Sequence, residues 1–85
     1  MLRTIDMRTF VVLTRLRNFR RTAEELHTTQ PAISGRLAAL ERHFGQWLIE
    51  RGDGMFRLTS TGEQVLLGFE AALRELDRLS DRPCA

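Results

Sequence analysis

The chain has 85 residues, 42% of them apolar and 28% charged, which suits one small globular module and excludes a disordered, collagen-like or low-complexity segment. No apolar run exceeds the four residues Phe10 to Leu13, and Cys84 is the single cysteine, accompanied only by His27 and His43. The sequence therefore reads as soluble and intracellular, with no membrane span, disulfide, metal cluster or cofactor. Net charge is +2, but residues 1–59 hold ten arginines against six acids, whereas residues 60–85 hold three against five, so the basic part is the first two-thirds.

Met7, Phe10, Val11 and Leu13 share one helical stripe, predicting a first helix over residues 4–16. Asn18 is placed to cap a short second helix, about 19–27, that buries Ala23 and Leu26. Thr29 is a good N-cap and Pro31 belongs in a first turn, so a third helix begins near Gln30. Ile33, Leu37, Leu40 and Phe44 form its core stripe. The opposite face carries Pro31, Ser34, Gly35, Ala38 and Arg42, mostly small residues that permit close approach to another surface.

Gly45 ends that helix, and Trp47, Leu48 and Ile49 predict a strand that returns through Phe56, Arg57 and Leu58 after an Asp53-Gly54 turn. Thr59 or Ser60 starts a last helix over about 60–80, where Leu66, Phe69, Leu73 and Leu76 repeat at spacings of three and four. That helix is long for so small a body and predicts a dimerisation surface on Leu66, Phe69, Leu73 and Leu76. The expected fold is mainly α with a small β-hairpin: a winged helix-turn-helix over residues 1–59, with the helix-turn-helix at 19–40 and the wing at 46–58. A linker helix at 60–80 and a tail at 81–85 complete it.

The stretch FRRTAEELHTTQPAISGRLAAL from Phe19 to Leu40, LIER at 48–51 and RLTSTGE at 57–63 resemble the N-terminal DNA-binding domain of LysR-type transcriptional regulators. The resemblance implies a cytoplasmic, nucleoid-associated bacterial regulator that binds double-stranded operator DNA sequence-specifically as a homodimer or higher oligomer. A small-molecule effector would act only through a domain absent from this chain. It places recognition-helix contacts on Thr29, Gln30, Pro31, Ser34, Gly35 and Arg36, phosphate contacts on Arg21 and Thr28, and wing contacts between Arg51 and Arg57. Gly35 and Arg17 depart from the family pattern, which has a basic residue and a glycine there, and Arg36 is expected to take over the role of the missing base at position 35.

Two other readings fit the same elements: a winged-helix module for protein–protein contact, and a winged-helix regulator of another family, such as the molybdate-responsive type. Nothing in the sequence supports catalysis, since there is no nucleophile elbow, phosphate loop or paired acid and base.

Overall fold

The computed structural model describes residues 1–52 and 54–80. The expected turn residue Asp53 and the tail 81–85, with Cys84, lie outside the described residues. Four helices follow one another: α1 (Thr4–Leu16), α2 (Phe19–Glu25), α3 (Gln30–Phe44) and α4 (Ser60–Ser80).

Their starts are written locally. The Asn18 carboxamide accepts from the Arg21 N–H at 2.8 Å, the Thr29 hydroxyl from Ala32 N–H at 3.2 Å, and the Thr59 hydroxyl from Gly62 N–H at 2.9 Å. Each satisfies an N–H group that has no partner inside its own helix. Left-handed backbone closes α1 at Arg17 (φ 57°) and α3 at Gly45 (φ 67°). Between α2 and α3 the turn passes through His27, also left-handed at φ 54°.

The core lies where α1 crosses α3 and α4. Phe10, Leu13, Ile33, Leu40 and Leu48 are almost wholly removed from water, and Leu37 is buried beside them. Each large aliphatic or aromatic side chain buried this way contributes roughly 1.5–3 kcal/mol. Phe10 meets the Phe69 ring edge-on at 6.0 Å between centroids, and Phe44 approaches Phe69 at 6.2 Å. Phe69 and Leu73, expected on a dimer surface, are thus buried in the chain's own core, and Leu66 is partly buried against it. The stripe on α4 is spent first on α1 because that helix runs alongside it.

Where a two-stranded hairpin was expected, the described residues show a single antiparallel bridge, Ile49 with Leu58, and no strand. Glu50 N–H donates to Arg57 C=O at 2.8 Å and Thr59 N–H to Leu48 C=O at 3.0 Å. A side chain supplies the rest of the pairing. The Glu41 carboxylate on α3 accepts from Leu48 N–H at 2.8 Å and from Ile49 N–H at 3.5 Å, and also receives Arg51 at 2.7 Å. A backbone pair on one side and a half-buried carboxylate on the other satisfy these amides without a longer ladder.

At the far end, Arg8 of α1 donates to Asp77 of α4 at 2.8 Å. The hydrogen bond from Arg8, assisted by its charge, holds the Asp77 carboxyl below its ordinary value of 3.8. A lowered carboxyl contributes stability above its unfolded value and loses it as pH falls through the folded one. Both side chains are about half exposed, so the effect is local and screened by salt. The protection factors of amides in the last two turns of α4, corrected for the intrinsic slowing of exchange in acid, are therefore expected to fall as pH drops below about 4, and in Asp77→Asn to be low already at neutral pH. Identical exchange in the two proteins at pH 7 would remove this contact as an anchor.

Candidate nucleic-acid interface

The exposed side of α3 carries no packing duty. Gln30, Pro31, Ser34, Gly35 and Arg42 are all exposed, and Ala38 between them is half-buried. At 100° per residue Pro31, Gly35, Ala38 and Arg42 fall opposite Ile33, Leu37 and Leu40, with Ser34 on the flank, whereas Gln30, the first residue of the helix, lies toward the core side of the wheel. A Cβ added at Gly35 would meet nothing within 4 Å, so the middle of this face is flat and open. At the N-terminus of α3 the Thr29 hydroxyl takes the Ala32 N–H and Pro31 has none, so it is the positive end of the helix dipole that favours a phosphate beside Thr28 and Thr29.

Three of the expected site residues stand differently. Arg36 does not join the open face: it lies one turn from Ile33 and Leu40, is half-buried, and donates to the buried Thr9 hydroxyl of α1 at 3.1 Å. Thr9 passes its own proton to Ile5 C=O at 2.7 Å, so the pair is a satisfied link between α1 and α3. Arg51 is held by Glu41 at 2.7 Å, donates to the Ile49 carbonyl, and lies over the Trp47 ring at 5.0 Å. Arg57, the other expected wing contact, is exposed but already has a partner within the chain.

Arg21 is exposed on α2, and Thr28 is half-buried in the turn before α3. Thr28 thus immediately precedes the α3 N-terminus in the chain. Arg42, two turns along α3 from Gly35, was not among the expected contacts, yet it shares the face. The wheel places it there, within about 20° of Gly35, although it was not counted among the contacts. Among the described residues no three His, Cys, Asp or Glu side chains could hold a metal ion together, and no helix is long and apolar enough to cross a membrane.

An open, small-residue face on the second helix of a helix-turn-helix is the feature against which known proteins can be compared. Residues 5–63 match the family model described as bacterial regulatory helix-turn-helix protein, lysR family. The chain belongs to the lysR family.

Among its curated relatives is the transcriptional regulator CfxR of Cupriavidus necator, 43% identical over 61 residues, covering 72% of this chain and 19% of that protein. The chain thus spans about a fifth of the length of that relative. Among solved structures, a lysR-family regulator from Eggerthella lenta is 36% identical with a TM-score of 0.74, covering 82% of this chain and 99% of that one. The CbnR DNA-binding domain, solved as a complex with DNA, superposes with a TM-score of 0.86 at 28% identity, covering 95% of this chain and 93% of that one. CfxR and the Eggerthella lenta protein are both described as transcriptional regulators.

Proposed function

We propose that this lysR-family domain binds duplex DNA sequence-specifically and serves a bacterial transcription regulator, with α3 lying in the major groove. The observation that carries the reading is the face of Pro31, Ser34, Gly35 and Arg42, which is exposed and bare of bulky side chains although it lies on a helix whose other side is core, with Gln30 exposed at the helix start. A helix of this kind can go deep into a groove about 12 Å wide and present Gln30 and Ser34 to base edges. Arg21 and Thr28 are suited to phosphate at its start, and Arg42 at its far end. The wing is tied to α3 where Glu41 accepts from Leu48, Ile49 and Arg51, and it is suited to the neighbouring minor groove. Related domains solved in complex with DNA support duplex binding.

Fluorescence anisotropy with duplex DNA across a salt series tests this. Binding is expected to weaken steeply as salt rises, with log K falling by about 0.9 per log unit of salt for each phosphate neutralised. No binding at low salt would favour the competing reading, in which the small-residue face docks on another protein.

The regulator acts as a dimer in this reading, through the part of α4 that its own core leaves uncovered. Leu76 and Leu79 are 40% and 49% exposed on the outer turns; Leu76 lies about 20° from Phe69 on the wheel and Leu79 about 60° further round. Pairing two such helices would cover these leucines and fix the spacing of two α3 helices for two half-sites. Leu76→Asp with Leu79→Asp is expected to give a monomer by sedimentation while the helical circular dichroism is kept. An unchanged mass would place the dimer contact elsewhere. An effector-sensing domain, by the same reading, belongs to the remainder of a longer regulator.

A further inference from the structure

Arg17 occupies backbone that a glycine would occupy at less cost: φ 57° and ψ 34°, closing α1, with its N–H donating to Leu13 C=O at 2.7 Å. Its side chain spans from the α1–α2 turn to the wing. There Nη2 donates to Phe56 C=O at 2.5 Å, and the guanidinium stands 5.6 Å from the centre of the Phe56 ring. Phe56 is in turn backed by Phe19, edge to face at 6.4 Å.

Arg17 thereby lines a cleft of about 470 Å³ with Ser34 and Ala38 of α3 on one wall and Gly52, Gly54 and Met55 of the wing on the other. If α3 lies in a major groove and the wing in the adjacent minor groove, the sugar–phosphate strand dividing the two grooves has to run along this cleft. Two cations border it, Arg17 and Arg51, together with the acids Glu41 and Glu50. Arg51 is spent on Glu41. Arg17 is exposed and uses one N–H on the Phe56 carbonyl, whereas a guanidinium offers five.

Resting on the DNA-binding reading above, we propose that Arg17 is a backbone-binding residue of the interface, donating to a phosphate of the strand between α3 and the wing while its bond to Phe56 holds the wing beside that strand. The contact is to phosphate, so it adds affinity and orientation without reading a base.

The test compares the wild-type chain with R17Q, R17K and R17G on a duplex recovered by selection from random-sequence DNA, titrated across a salt series. R17Q and R17G are expected to bind several-fold more weakly, with a salt slope smaller by about 0.9, the loss of one phosphate contact. R17K keeps a charge that can reach phosphate and is expected to restore the slope. R17G loses the bond to Phe56 but relieves the left-handed backbone, so its melting temperature is expected to stay near that of the wild type, which separates a lost contact from a lost fold. Should R17G melt lower, R17Q against R17K still compares two side chains with the same backbone strain. An unchanged slope in R17Q, or a slope in R17K as low as in R17Q, would overturn the proposal. A wild-type chain that recovers no duplex at all overturns the DNA-binding reading itself, so the two failures are distinguishable.

Discussion

Gly62→Ala is expected to destabilise the domain severely although it places alanine in a helix. A Cβ at Gly62 would stand 2.0 Å from the Leu48 carbonyl oxygen and 2.9 Å from its carbon, far inside van der Waals contact. That carbonyl has nowhere to go. It accepts Thr59 N–H at 3.0 Å, the amide of the same residue is held by Glu41 at 2.8 Å, and the Leu48 side chain is fully buried.

Helix propensity favours alanine over glycine by about 1 kcal/mol, whereas forcing atoms into a packed interior costs up to about 3 kcal/mol or more. The clash wins by about 2 kcal/mol, a large share of a total stability of roughly 5–15 kcal/mol. For a domain of this size that lowers Tm by roughly 8–16 °C. Gly68, in the same helix but exposed and with nothing within 4 Å of an added Cβ, is the control: Gly68→Ala should gain about 1 kcal/mol and raise Tm by roughly 4–8 °C. Thermal melts of the two variants check the pair. If Gly62→Ala melts at or above the wild type, the close approach of α4 to Leu48 is wrong.

The helices were legible in the sequence because their determinants are local. A cap, a proline in the first turn and an apolar repeat all lie within a few residues of one another, and Thr29, Pro31 and the run from Ile33 to Phe44 read unambiguously. What the sequence did not show depends on partners far along the chain. Arg36 looked like an outward cation, but it sits beside the core stripe, and the hydroxyl that captures it belongs to Thr9, 27 residues earlier. Arg51, expected as a wing contact, is paired in this structure with Glu41, ten residues away on α3.

Phe69 and Leu73 showed a real apolar stripe, but periodicity cannot say whether such a stripe is covered by the same chain or by another. The structure assigns those two to α1 and leaves Leu76 and Leu79 open. The reduced hairpin has the same origin: alternation and turn residues predict strands, but a carboxylate from another element can satisfy the amides a ladder would have used. The open face of α3 was legible, because an absence of bulky residues is visible on a helical wheel.

That face supplies the other large effect. Gly35→Asp is expected to reduce DNA affinity by about 100-fold, and Gly35→Arg to increase it. Both side chains fit, since Gly35 is exposed and nothing lies within 4 Å of an added Cβ. Both also replace the weakest helix former apart from proline, so neither should lower Tm. The two variants therefore differ in charge on one unobstructed spot and in little else.

Set against a phosphate-lined groove, a carboxylate costs several kcal/mol by like-charge repulsion and lost water, and about 2.7 kcal/mol suffices for the 100-fold loss. An arginine there gains one cation facing the groove, worth about 0.9 in salt slope if it meets a phosphate and about 1–3 kcal/mol if it pairs with a guanine. Salt-series anisotropy with circular dichroism melts reads both quantities on the same samples. A folded Gly35→Asp chain that binds as tightly as the wild type would mean that α3 does not enter the groove by this face.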